Sequence, residues 1–215
     1  MKSALIIGVG RFGTNCAKKL SAMGHEVMAV DTKETNINRV LPFVTSAQIG
    51  DSTNGDFLDS LGVNNYDVCI VTIADNFQNS LETVSLLNDR GAKKVIARAA
   101  SSIHEKFLLR NGADTVIYPE RQLAEWTAIR CTSSDIKDYF NIEGPNAIFE
   151  INVPSDWIGK TLMQLDIRRK FEINVIGVRR NGDLVTNFSP EEPFISTDSV
   201  LILGDEEIIR KKFKL

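Results

Sequence analysis

The sequence predicts an α/β protein in which a Rossmann-type, doubly wound parallel sheet is followed by a small C-terminal α+β domain. Three observations support this prediction. Apolar, β-branched runs alternate with helical patterns over the first two-thirds of the chain. One run, LIIGVGRFG at 5–13, leads directly into a glycine-rich turn. After about Asn141 the pattern becomes strand-rich for about 70 residues, which is too short for a large core of its own.

The first six predicted strands are separated by stretches long enough for helices, which indicates parallel strands joined by right-handed crossovers. They cover residues 4–9, 26–31, 44–48, 68–72, 94–98 and 115–118. The intervening stretches carry apolar residues at helical spacing. The clearest examples are one helix with Phe12, Cys16, Leu20 and Met23 and a later helix with Phe77, Leu81, Val84 and Leu87.

A linker, IEGPN at 142–146, separates two predicted domains at 1–141 and 146–215. The second domain has predicted strands at 147–153, 173–179, 183–185 and 200–203, and a helix at 162–170. RNGD at 180–183 is typical of a hairpin turn. A last short helix begins with acids (DEE) and ends with bases (RKKFKL), as the helix dipole favours.

Composition restricts the classes of function. The 215 residues are 43% hydrophobic and 25% charged, with a formal net charge of -3, so no basic excess is available for nucleic acid. Cys16, Cys69 and Cys131 are dispersed, which suits a reducing cytosol and argues against a disulfide scaffold or a zinc site. No apolar run approaches the roughly 18 residues of a membrane helix, so we expect any membrane role to require a partner.

The glycine-rich turn has the context that a nucleotide-binding loop requires: a strand before it, a helix after it, and an acid at the end of the next strand. Gly8 permits the tight turn, Gly10 lets a phosphate approach the backbone, and Gly13 lets the helix pack on the sheet. Asp31 can accept hydrogen bonds from ribose hydroxyls. The sequence therefore predicts one site for an adenosine-containing ligand.

The identity of that ligand stays open at the level of the residues. The chain has two histidines and no Tyr-x-x-x-Lys pair, so a proton donor for hydride transfer is hard to find, and we expect no enzyme activity. Arg11 can neutralise a terminal phosphate, or it is a solvent-facing loop residue. The alternative is an NAD(H)-binding redox sensor or small oxidoreductase.

Further candidate residues follow the strands at the carboxyl edge of the predicted sheet, where ligands of open α/β sheets bind. Glu120 opens a helix, where it complements the dipole or binds a divalent cation near the phosphates. The others, some of them common turn formers, are Asp51, Ser52, Ile73, Ala74, Asp75, Arg98 and His104.

GVGRFG, VMAVD, IGDST, FLLRNGADTVIYPER and the strand-rich tail together resemble the cytosolic gating subunits of bacterial potassium uptake systems of the Ktr and Trk type, the RCK family. The resemblance covers nearly the whole chain. It implies a ring of dimers, expected to be an octamer, docked at the inner face of the cell membrane on a potassium transporter. ATP and ADP would compete for the loop and set transport activity, although such systems are also linked to NADH.

Carried over by position, the resemblance assigns roles to the candidates. Gly8, Gly10, Phe12 and Gly13 form the loop, Arg11 meets the terminal phosphate, and Glu120 binds a divalent cation. The ribose would be held by Asp31, Thr32 and Lys33, and the base by Asp51 and Ser52. Ile73, Ala74 and Asp75 would line the site, and Arg98 and His104 would lie near the phosphates. In the C-terminal domain it implies a cyclic di-AMP site at a dimer interface, with Arg169, Asn174, Val175, Ile176 and Pro190. At the position after the aromatic Phe171 the family has a small residue, whereas this chain has Glu172.

Overall fold

The computed structural model describes residues 1–142 and 144–214. By its internal contacts it divides into two compact units, Met1–Arg121 and Gln122–Leu215. This division falls within a helix. The predicted linker at 142–146 contains Glu143, which lies outside the described residues; Ile142, Gly144 and Pro145 lie between two paired strands of the second unit, and Asn146 begins the later strand.

The first unit is a six-stranded sheet in the order β3-β2-β1-β4-β5-β6, with every neighbouring pair parallel. This strand order confirms the predicted Rossmann-type fold, in which the order reverses between β1 and β4. The strands are β1 (Ser3–Ile7), β2 (Glu26–Asp31), β3 (Ser46–Ile49), β4 (Val68–Val71), β5 (Val95–Arg98) and β6 (Thr115–Ile117).

Helices follow the strands of the first unit, and polar caps begin three of them. The side chains of Asn54, Asn76 and Ser101 each accept a hydrogen bond from a first-turn backbone N–H, which satisfies one of the free donors at a helix start. The helices are α1 (Arg11–Ala22), α2 (Glu34–Val40), α3 (Gly55–Leu61), α4 (Phe77–Asp89) and α5 (Ser102–Arg110).

The core of the first unit lies on both faces of the sheet. Successive side chains of a strand point to opposite faces, so Leu5 and Ile7 pack into one apolar cluster and Ile6 into the other. All three side chains are buried. A strand covered on both faces needs a continuous apolar run, which explains why β1 was easy to recognise in the sequence.

The second unit contains a five-stranded antiparallel sheet in the order β10-β9-β11-β8-β7. Its strands are β7 (Ile136–Asn141), β8 (Asn146–Asn152), β9 (Asn174–Arg180), β10 (Asp183–Val185) and β11 (Ser199–Asp205). α6 (Pro119–Thr132) contains the division between the units. The later helices are α7 (Leu162–Leu165), α8 (Ile167–Phe171) and α9 (Glu206–Phe213). Asn181 and Gly182 have φ of 53° and 91°, as a tight hairpin between β9 and β10 requires.

One expectation for the second unit was wrong, and one strand was missed. The helix predicted at 162–170 is broken into α7 and α8, because Asp166 adopts a left-handed conformation with φ of 46°. β7 was not predicted, and it pairs with β8 with a register shift between Ile136 and Asp138. No helix within the described residues is long and apolar enough to span a membrane.

Candidate functional site

The turn between β1 and α1 depends on Gly8. Its φ is 87°, and its N–H donates to the carbonyl oxygen of Val30 at 2.8 Å. A Cβ at this position would lie 3.1 Å from Cγ1 and 3.2 Å from the backbone nitrogen of Ile73. Both the backbone conformation and the close approach therefore require glycine.

Gly13 is fixed by packing. A Cβ built there would collide with the carbonyl oxygen of Gly8 and lie 2.7 Å from Oγ1 of Thr72. The Thr72 hydroxyl donates to that same Gly8 oxygen. The first turn of α1 thus rests directly on the loop and on the end of β4.

Gly10 faces open space. It precedes α1 with φ of -64°, and apart from its chain neighbours no described residue has an atom within 4 Å of a Cβ built on it. No side chain in the described part of the chain caps α1, so the free N–H groups of its first turn present a positive partial charge on this side. The loop therefore leaves room for an anion against the backbone.

Arg11 is the first residue of α1, and its side chain is exposed. Within the described residues its guanidinium has no hydrogen bond or ion pair. Phe12 beside it is half-buried, and its ring centroid lies 5.5 Å from Cζ of Arg98. The loop thus carries one cation with no protein partner and contacts a second cation through Phe12.

Asp31, at the end of β2, is only 9% exposed. Its Oδ1 accepts the N–H of Lys33 at 2.8 Å, and its Oδ2 accepts the side-chain amide of Asn36 at 3.0 Å. These bonds orient the carboxylate, and each oxygen retains capacity for a further donor. Thr32 and Lys33 are exposed beside it.

Of the other candidates at the carboxyl edge of the sheet, some are exposed to solvent and some form hydrogen bonds within the protein. Asp51 is exposed, and its Oδ1 accepts the N–H and the hydroxyl of Thr53, while Ser52 is buried with its hydroxyl 2.7 Å from Oγ1 of Thr83. The Ser52 side chain is therefore committed to the protein. The segment between β4 and α4 is more open: Ile73 and Ala74 are half-buried, and Asp75 is exposed.

Arg98 and Glu120 form an ion pair between the end of β5 and the first turn of α6. The Nε of Arg98 is buried and has no hydrogen-bond partner within the described residues. A hydrogen bond from its own backbone N–H, followed by the Arg98 guanidinium, lowers the pKa of Glu120. Glu120 is thus held as a carboxylate, and its side chain is 55% exposed.

His104 is almost fully enclosed at the start of α5, with 1% of its surface exposed. Its Nδ1 accepts the N–H of Ala100 at 3.2 Å, which places the proton of the neutral ring on Nε2. Nε2 is buried with no partner in the described part of the chain, and the Phe77 ring packs 4.9 Å away. Burial lowers the pKa of His104, so the ring is neutral near pH 7.

The supporting residues Thr72, Phe77 and Thr83 were not among the sequence candidates. Thr72 is the last residue of a predicted strand, so its position at the carboxyl edge of the sheet could have been inferred from the sequence. Nothing in the sequence indicates the contacts of Phe77 and Thr83. Within residues 1–142 and 144–214 no group of three His, Cys, Asp or Glu side chains is arranged to hold a metal ion.

The residues predicted for a second ligand lie in the second unit. Arg169 is exposed on α8, while Asn174, Val175 and Ile176 open β9. The carbonyl of Pro190 accepts the N–H of Met163 on α7 at 3.3 Å, which ties the segment after β10 to this region. Glu172, between α8 and β9, has φ of 57°, a conformation that favours glycine.

Comparison with known proteins follows the same two-part layout. The TrkA-N domain model matches residues 4–119, and the TrkA-C domain model matches residues 147–215. The chain belongs to the Ktr/Trk-type family of TrkA-N and TrkA-C proteins. Ktr system potassium uptake protein C of Bacillus subtilis (strain 168) is 35% identical over 203 residues, which are 94% of this chain and 92% of that protein.

Solved structures of the GsuK channel share the fold of this TrkA-N/TrkA-C chain. GsuK bound to NAD matches 96% of it with a TM-score of 0.70 and 20% identity. GsuK bound to ADP matches 63% with a TM-score of 0.53 and 19% identity. The chain spans only 38% and 36% of the lengths of those two channel chains.

Proposed function

We propose that this protein is a nucleotide-sensing subunit that regulates a membrane potassium transporter, with ATP and ADP competing for the glycine loop. The observation that carries the proposal is the loop itself: open backbone at Gly10 and the unpaired, exposed guanidinium of Arg11 at the start of α1. A potassium uptake protein as a relative and an ADP-bound GsuK structure support the choice of function and ligand.

Sensing requires two conformational states of the protein whose relative affinities for ATP and ADP differ. A ligand shifts a conformational equilibrium only by its differential affinity for the two states. ATP and ADP differ by one charged phosphate, so the difference must arise at groups that contact it. Arg11 is the best-placed cation, because its guanidinium is not neutralised by the protein.

The other nucleotide contacts follow from the same edge of the sheet. Asp31 accepts the ribose hydroxyls with Thr32 and Lys33 beside it, and the backbone near Asp51 and Ser52 contacts the base. Glu120 would be the residue that holds a divalent cation near the phosphates, since the described residues form no complete metal cluster. Such a cation would compete with Arg98 for Glu120 and would leave the Arg98 guanidinium available to the phosphates. The remainder of the nucleotide site is lined by Ile73, Ala74, Asp75 and His104.

The second candidate is an NAD(H)-binding sensor, favoured by the NAD-bound GsuK structure. Asp31 suits the ribose of NAD as well as that of ADP. Hydride transfer would need a proton donor, and the Nε2 of His104 is enclosed. We therefore propose a sensor without catalytic activity for either ligand.

The proposal also covers the oligomeric state and the cellular location of the protein. The chain acts in the cytoplasm at the inner face of the membrane, as dimers within a ring, an octamer, docked on its transporter. The functional domains are 1–141 and 146–215, and the second binds cyclic di-AMP through Arg169, Asn174–Ile176 and Pro190. These statements rest on the family resemblance.

Thermal unfolding of the purified protein tests the proposal, with ATP, ADP, NADH and NAD each measured with and without Mg²⁺. A ligand at 100 times its Kd adds about 2.7 kcal/mol to the native state. For a chain of this size the melting temperature then rises by roughly 5–10 °C. Unequal shifts with ATP and ADP that respond to Mg²⁺ support the sensor. A shift confined to NADH or NAD overturns the ATP/ADP assignment.

A further inference from the structure

The second unit contains a cavity that the nucleotide site does not use. Its volume is about 500 Å³, within the range of small-molecule sites. Three lysines from separate segments line it: Lys160 from the turn before α7, Lys170 from α8 and Lys212 from α9. None of the residues predicted for cyclic di-AMP lines this cavity.

The lysines of this cavity are not neutralised by the protein. None of the ion pairs within the described residues includes Lys160, Lys170 or Lys212. Asp156 is the one acid among the described residues that line the cavity, so its lining contains three lysines and one carboxylate residue. This local positive charge stands out in a chain whose formal net charge is -3.

Helix dipoles account for only part of this arrangement. Lys170 and Lys212 lie in the last turns of α8 and α9, where the helix C-terminus favours a cation. Lys170 Nζ also donates to the carbonyl of Leu165 at 3.0 Å, and Lys212 Nζ lies 3.9 Å from the centroid of the Phe171 ring. Lys160 has neither explanation, because it precedes α7 and its ammonium has no partner among the described residues.

The chemistry of the donors indicates the kind of anion. Lysine ammonium groups bind phosphates as compact point charges with rotating donors, and they do not impose the planar bidentate geometry with which an arginine fork matches a carboxylate or a phosphate. Gln164 adds an amide N–H₂, since its Oε1 is already engaged by the N–H of Thr161 at 2.9 Å. We propose that this cavity binds a small anion with one or more phosphate groups.

Isothermal titration of the full chain with inorganic pyrophosphate tests this site. We expect Lys160→Gln, Lys170→Gln and Lys212→Gln each to weaken one binding event by about tenfold, as the loss of a charge-assisted contact implies. Lys211→Gln is the matched control, because Lys211 is exposed on the same turn of α9 and does not line the cavity. Equal melting temperatures establish that the variants fold.

The outcomes separate this site from the glycine loop, because the proposal does not rest on nucleotide sensing. Pyrophosphate binding that survives all three substitutions lies elsewhere and overturns the proposal, as does the absence of any binding. A second arm uses vesicles with and without phosphatidylglycerol. Lysine-dependent binding to the anionic vesicles assigns the phosphate to a lipid headgroup, and binding of pyrophosphate alone assigns it to a soluble compound.

Discussion

Replacing Gly13 by alanine separates the packing role of the loop from its ligand-binding role. The added Cβ would overlap the Gly8 carbonyl oxygen and lie 2.7 Å from Oγ1 of Thr72. Backbone atoms cannot move aside cheaply, so α1 must shift from the sheet. Overpacking of this kind costs about 1–3 kcal/mol. At about 4 °C per kcal/mol for a unit of this size, the melting temperature of the first unit should fall by about 4–12 °C.

Gly10→Ala is the matched control. Among the described residues no atom beyond the two chain neighbours lies within 4 Å of the added Cβ, and φ is -64°. The preference for Gly over Ala at an N-cap and the lower entropy of the unfolded alanine chain oppose each other, so we expect a net change of about 1 kcal/mol or less. The methyl group instead occupies the space where a phosphate would approach the backbone. Calorimetric unfolding without nucleotide and titration with ADP measure the two effects. Gly13→Ala with unchanged stability, or Gly10→Ala with unchanged ADP affinity, would refute this reasoning.

Three further predictions concern charged and titratable side chains. Arg11→Ala should weaken ATP by about tenfold or more and ADP by less, since a charged hydrogen bond contributes about 1.5–3 kcal/mol; equal losses in titrations of both nucleotides would exclude the role. Glu120→Gln removes the ion pair with Arg98 and should abolish the Mg²⁺ effect on nucleotide-induced melting shifts, so a retained Mg²⁺ effect would place the cation elsewhere. Burial lowers the pKa of His104, so below its ordinary value of 6.5 the unfolded chain binds a proton more readily than the folded one, and the free energy of unfolding decreases as the pH is lowered from 7 to 5. His104→Gln should flatten that fall in denaturant titrations between pH 5 and 7, and an unchanged slope would contradict it.

Periodicity and the glycine loop were enough to predict the first unit. The central strands β1 and β2 are mostly buried, so each is a short apolar run, and β2 was predicted with its observed bounds. The order of residues along the loop also assigns the tight turn to Gly8 and the close packing of α1 on the sheet to Gly13. Local patterns therefore predicted the fold, and the position of the nucleotide site at the glycine loop stays a prediction.

The remaining features depend on contacts between residues far apart in the chain. β7 alternates imperfectly, because its register shifts between Ile136 and Asp138, and its edge position leaves Phe140 exposed. The Arg98–Glu120 pair and the enclosure of His104 arise only when the strand ends and helix starts meet. The break between α7 and α8 at Asp166 could not be predicted from the sequence. An aspartate adopts the left-handed conformation much less regularly than a glycine does, so its presence does not indicate that conformation.

Direct competition between ATP and ADP for the purified chain tests the central claim most directly. We predict that isothermal titration shows one nucleotide bound per chain, that each nucleotide displaces the other, and that their affinities differ. Gly10→Ala should abolish both binding events. If neither ATP nor ADP binds while NADH does, the proposed nucleotide sensor is contradicted and the NAD(H)-binding alternative takes its place.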